Sequence, residues 1–278
     1  MNSRSTSPVL RFFVEFRAAF LKDLRSYVRY PAWMVGEFIS TPLWFFFFAL
    51  GVTLFAPTSL SSAAPNEGGM SYFFFGFVFI ILFGTGVWGV GQTVRNEQMA
   101  GTLEQFFLAP ASRVTLIMGR WARIFLTDGL IIGYTTLLLY LIGGGLVTLH
   151  DPALFIFSVG LYELGLIGFG LLFAGLTMRI KSYNTISNLV FFGYMVLTGA
   201  LFPISVIPAP FRYLCMIVPF TYFNDLVRHA ALATPTILSA SLEYVIAILL
   251  SGCMLIVGFV AFKKIEDEAR MRGAISTS

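Results

Sequence analysis

Charge is scarce in this chain. Asp, Glu, Lys and Arg make up 12% of its 278 residues while 57% are hydrophobic, about half the charged share of an ordinary soluble domain. A water-soluble fold of this composition is excluded, because it would expose far too much apolar surface. Cysteine is nearly absent as well: Cys215 and Cys253 have no spacing suited to a metal or redox site and read as quiet thiols. Histidine is limited to His150 and His229, which excludes an H-E-x-x-H zinc centre, and no G-x-S-x-G nucleophile elbow occurs. A G-x-x-x-x-G-K-[ST] phosphate loop is also missing, so the chain does not cradle a nucleotide in that way. Catalytic, cofactor-binding and metal-ligating residues are therefore expected to be none. The formal net charge of +4 says little about nucleic acid; where the charges sit says more.

What is present is a set of long apolar runs, at about 32–55, 70–94, 122–146, 153–178, 184–202 and 242–262. Each is long enough to cross a bilayer as a helix. The first begins too late and runs too long for a cleavable signal peptide, so it is expected to stay in the protein. The fold class predicted is an all-α membrane protein with six transmembrane helices in one domain over 32–262, an N-terminal arm over 1–31 and a tail over 263–278. In the arm, Val9, Phe13, Phe16, Phe20, Leu24 and Tyr27 recur at steps of three and four, with Arg11, Glu15, Lys22, Arg25 and Arg29 largely between them. That period gives an amphipathic helix, and its basic face directly before a span places it at the inner membrane surface.

Sixteen of the eighteen Lys and Arg fall on one side of a six-span chain: in the arm, in the connections that carry Arg95, Arg113, Arg120 and Arg123 and then Arg179 and Lys181, and in the tail. Basic residues beside spans mark the cytoplasmic side, so both termini are expected there, in a multi-pass protein of the cell membrane. The connection from 203 to 241 is different. Pro203, Pro208, Pro210, Pro219 and Pro235 cut it into pieces too short to span, and Arg212, Asp225, Arg228 and His229 make a crossing costly. Short re-entrant helices in this last outer loop fit best, and a loop lying flat on the surface is the alternative.

Glu37, in the first span, sits close to the inner surface, where an arm arginine is its expected partner; two carboxyls lie deeper, Glu163, about ten residues into the fourth span, and Asp128, about six into the third. A carboxyl at that depth is expensive unless it is protonated, paired or facing water. Either they line a translocation path, or they bond to neighbouring helices, with Arg123 the expected partner of Asp128. Asn184 and Asn188, four apart, share one helix face and are expected to bond between helices. The aromatic residues, 17% of the chain, read as lipid-facing bulk and interfacial belts, with no individual site.

Two motifs stand out against this background. Glu97 to Pro110 follows an E-x-x-x-G-T-L-E-x-x-x-x-x-P pattern, and Pro219 to Arg228 reads P-x-T-Y-x-x-D-x-x-R. On these, on Leu201-Phe202-Pro203 and Pro208, and on its span count, the chain resembles the ABC-2 type permeases, the membrane subunits of ATP-binding-cassette exporters. Arg25 to Pro31 and Thr41 to Trp44 look more like the drug-resistance and nodulation-type branch than the polysaccharide branch. The resemblance implies a coupling region at Glu97, Gly101, Thr102, Leu103, Glu104, Phe107 and Leu108, contact of the N-terminal amphipathic helix and the Gly101 to Leu108 region with the ATPase, and an outer motif at Pro219, Tyr222, Asp225 and Arg228. It also implies two copies of a cytoplasmic ATPase partner that carries ATP and Mg, a second permease copy or close relative, and export of an amphipathic, drug-like or lipid-like compound. Export of a polysaccharide or lipid-linked glycan is the alternative, and an ion-coupled secondary transporter a further one.

Overall fold

In the computed structural model the described residues are 7–55, 69–91, 93–99, 101, 111–143, 149–177, 180, 183–204 and 207–271. Among them there are helices and no strand. They are α1 Pro8–Arg29, α2 Pro31–Phe55, α3 Gly69–Gly84, a π-turn Thr85–Val90, α4 Thr93–Met99, α5 Arg113–Gly143, α6 Pro152–Thr177, α7 Tyr183–Leu197, α8 Ala209–Ile217, α9 Pro219–Leu232 and α10 Ala240–Met271. Among the described residues, five stretches are long and apolar enough to cross a membrane: Pro31–Leu50, Ser71–Val90, Arg113–Leu141, Pro152–Thr177 and Ala240–Glu268. The chain is an all-α membrane protein.

The run expected as a span over 184–202 is shorter as a helix. The 15 residues of α7 rise about 22 Å, less than the ~30 Å hydrocarbon core. The helix stops because Gly199 takes a left-handed conformation, φ +66°, which ends an α-helix at no steric cost only for a residue without a Cβ.

At the centre stands α6. It packs along α10, against α9 and against the π-turn. Where α6 and α10 cross, the backbones touch: a Cβ on Gly258 would lie 2.0 Å from the Gly168 carbonyl oxygen. In lipid such contact is itself the adhesive, since hydrocarbon tails are as apolar as leucine and helix association rests on close packing and interhelical hydrogen bonds. A second unit forms on the other side, where α1 lies along α5 and α2 touches both. The Ala19 methyl meets α5 at Gly119, where a Cβ would sit 2.5 Å from it.

The seam between α1 and α5 is polar at both ends. Glu15 accepts from the Ser112 N–H at 3.0 Å and from Arg11 at 2.8 Å. Farther along, Asp23 lies 3.8 Å from both Arg120 and Arg123. The Arg123 guanidinium sits 5.1 Å from the Tyr27 ring centre, and the Tyr27 hydroxyl donates to Glu37 of α2 at 2.6 Å. Glu37 thus meets a tyrosine of the arm rather than an arginine. Burial, and next the bond to Glu37, push the Tyr27 phenol upward from its ordinary value.

Candidate functional site

Polar chemistry gathers at three places, beginning with the π-turn. Here the Gly91 N–H reaches the Gly86 carbonyl at 2.9 Å, a bond one residue longer than in an α-helix. Such single turns are frequent at functional sites. The first residue of the turn, Thr85, donates its hydroxyl to Asp128 of α5. Asp128 therefore joins the π-turn instead of Arg123, because α1 brings Asp23 and Tyr27 to Arg123 first. One stripe of α5 serves both acids: seven residues before Asp128, the Trp121 indole N–H donates to Glu163 of α6 at 3.2 Å. Glu163 is 6% exposed, and its second oxygen, Oε1, has no hydrogen-bond partner among the described residues. The two span carboxyls are thus held by neighbouring side chains, about two turns apart along α5, with one acceptor oxygen of Glu163 left open among the described residues.

The second place is α4, which begins three residues after the π-turn ends. It packs on α6 and the π-turn. The Thr177 hydroxyl, at the last residue of α6, donates to the Gly91 carbonyl at 3.1 Å. Arg95 lies 5.2 Å from the Tyr183 ring centre at the start of α7, and the Tyr183 hydroxyl donates to Met99 Sδ at 3.3 Å. Of the expected coupling residues, Glu97 is half-buried on α4. Gly101 is exposed in a turn with φ +69° and open space around it, the left-handed exit that terminates a helix. Thr102, Leu103, Glu104, Phe107 and Leu108 lie outside the described residues.

The third place is α9. Pro219 opens it at the first turn, where no backbone N–H is needed. Tyr222 donates to the Met216 carbonyl of α8 at 2.8 Å, and Asp225 accepts from the Ile237 N–H at 2.8 Å. Arg228, 2% exposed, is the anchor. Its terminal nitrogens donate to the Gly199 carbonyl at 2.7 Å, to the Ala200 carbonyl, and to the Tyr72 hydroxyl at 2.8 Å, and its guanidinium lies 3.7 Å from the Tyr72 ring centre. Arg228 thereby satisfies the carbonyls of the two residues at which the chain turns after α7.

Several partners in this clasp were not singled out from sequence. Asn224 donates to the Thr198 carbonyl at 3.2 Å and accepts from the Tyr194 hydroxyl at 3.0 Å; Tyr194 in turn pairs with Tyr162 at 3.0 Å, and Tyr162 donates to the Phe79 carbonyl at 3.2 Å. Thr221 donates to the Cys215 carbonyl at 2.6 Å. A signal existed: Thr221, Asn224 and Arg228 fall at steps of three and four, so the motif puts its polar residues on one face of α9. Glu243, at the start of α10, is fully buried and accepts from the Leu238 N–H at 3.2 Å. Asn184 and Asn188, by contrast, are exposed and make no interhelical bond among the described residues.

Against known families, residues 14–232 match the one described as ABC-2 type transporter. No curated protein matches the chain.

Proposed function

Because the chain belongs to the ABC-2 type transporter family, and is thereby the permease subunit of an ABC transporter, we propose that it exports an amphipathic, drug-like or lipid-like compound from the cytoplasm. In this reading two copies of the chain, or the chain and a close relative, sit on two ATPase subunits that carry ATP and Mg. Both termini and the Gly101 turn face the cytoplasm, and α8 and α9 re-enter the outer leaflet. ATP binding and hydrolysis on the partner drive the spans between inward-open and outward-open arrangements.

The observation that carries the reading is the placement of α4. It presents an exposed turn at Gly101 at one end. At the other it runs into the π-turn that holds Asp128, while its flank rests on the ends of α6 and α7. A push delivered at Gly101 would therefore reach the spans through the packing of α4 on the π-turn and α6 and its contacts with Tyr183 of α7. Glu163 and Asp128 supply polar contacts beside apolar side chains of the bundle, the combination an amphipathic cargo needs.

The test is Gly101→Pro. Proline fixes φ near −65°, incompatible with +69°, so the turn must change shape while the spans are untouched. Membrane insertion is expected to stay normal, and partner ATPase activity to become uncoupled from transport in reconstituted vesicles. Normal transport by this variant would overturn the coupling role. Transport that stops on collapse of the proton gradient, with ATP held constant, would replace ATP-driven export with ion-coupled transport.

A further inference from the structure

The arm helix α1 spends all its acids inward. Glu15 goes to the Ser112 N–H and Arg11, and Asp23 faces Arg120 and Arg123 of α5. What remains outward is cationic: Arg17, Lys22, Arg25 and Arg29 are all exposed, and none has an ion-pair partner among the described residues. The same outward surface is apolar as well. Leu10 is 52% exposed, Val14 61% and Val28 55%, and at 100° per residue these three fall on one stripe beside the basic residues. A face meant only for water has no use for that stripe. One meant only for hydrocarbon has no use for four cations.

The chain also fixes where this face lies. Only Tyr30 separates α1 from α2, which is long and apolar enough to cross a membrane from Pro31. Tyr30 and Trp33 at the junction are 65% and 68% exposed, the side chains that settle at headgroup level. Beside α1 runs a groove of about 390 Å³ lined by Phe20 of α1 and by Ala122, Phe125, Leu126, Gly129 and Leu130 of α5. Arg17 is one turn before Phe20, so a cation stands next to an apolar channel.

We infer that the outward face of α1 binds anionic phospholipid, with Arg17, Arg25 and Arg29 holding headgroups and the Phe20 groove taking an acyl chain. The occupant is lipid of the surrounding bilayer, because cation, apolar stripe and groove together match both halves of one such molecule and α1 is tethered at its boundary.

The experiment uses the full chain, purified in mild detergent with its ATPase partner and offered phosphatidylglycerol or phosphatidylcholine, with bound lipid read by native mass spectrometry. The wild type should retain phosphatidylglycerol on the order of tenfold or more over phosphatidylcholine, since each basic residue near an anionic surface contributes appreciably. R17Q/R25Q/R29Q should bring the ratio near one with an unchanged melting temperature in detergent alone, because these side chains have no partner to lose. R17K/R25K/R29K should keep the preference. A wild type without preference, or a Gln variant that retains it, would overturn the inference. So would a Gln variant that sheds the ATPase while its lipid ratio is unchanged, which would assign this face to the partner protein.

Discussion

Two buried ionisable side chains in one bundle are treated in opposite ways. Arg228 is 2% exposed and Glu163 is 6%, yet the first reaches two carbonyls, a hydroxyl and an aromatic face and leaves only its Nε without a partner among the described residues, while the second receives one indole bond and keeps one of its two oxygens without one. Removing a charged group from water costs several kcal/mol unless geometry returns it. Around Arg228 the return is complete enough for the residue to serve as a lock. Around Glu163 it is partial, which marks a place where another donor can enter. The difference separates a side chain held by several neighbours from one held by a single bond.

The largest expected effect breaks the lock. Arg228→Leu leaves the Gly199 and Ala200 carbonyls and the Tyr72 hydroxyl without their donor, and should destabilise the bundle by about 3–5 kcal/mol. Thermal unfolding in detergent reads it. A melting temperature within a degree or two of wild type would show that the clasp holds nothing.

Next comes Tyr194→Phe. The hydroxyl links Tyr162 to Asn224, while the ring stacks on Phe83 with centres 3.8 Å apart. The variant keeps the stack and opens the chain of bonds, so a loss of about 1–2 kcal/mol is expected, larger than an average membrane hydrogen bond because two partners are stranded together. If Tyr162→Phe and the double variant cost the same as either single change, the bonds act as one unit.

Glu163→Gln sharpens the contrast from the other side. An amide can still accept from Trp121 and carries no charge to bury, so stability should move by less than about 1 kcal/mol. Transport should nevertheless change, in rate or in the range of compounds carried, measured in vesicles at equal protein. A variant as active as wild type on every cargo would make Glu163 a structural residue like those of the clasp.

How much of this was legible in the sequence differs between the same two regions. Long apolar runs and the three-four period over 9–28 are one-dimensional signals, and α1, α2, α3, α5, α6 and α10 follow them. The length of α7 was not, because its stop depends on the backbone conformation of Gly199 and on an arginine 29 residues later that satisfies the freed carbonyl. Arg228 read as the cost of crossing a membrane; its meaning lay in the carbonyls it would find. Asp128 was expected to reach Arg123 on its own helix and instead joins Thr85, since the partner of Arg123 arrives on α1 from about a hundred residues away. Glu163 was visible as an anomaly. That one of its oxygens is unpaired is a fact of packing, and no spacing encodes it.

The smallest effect concerns the seam of α1 with α5, which stands between the two extremes: partly exposed, ionic and held from one side. Burial raises the Glu15 carboxyl, but the bonds from Arg11 and the Ser112 N–H outweigh it and hold the group below its ordinary 4.5. A carboxyl depressed in the folded state stabilises above its unfolded value and stops doing so as pH falls through its folded one. The seam is therefore expected to be at full strength above pH 4.5 and to loosen below it. Exposed ion pairs contribute under about 1 kcal/mol, so the loss is local. Hydrogen exchange of α1 amides should quicken as pH falls through this window, after correction for intrinsic rates, while α6 stays protected. Glu15→Gln isolates the carboxyl from every other acid: its α1 should already be slightly less protected at neutral pH and should change less on acidification. Equal acid responses in the two proteins would place the hold on α1 elsewhere, at Asp23 and the Ala19–Gly119 contact.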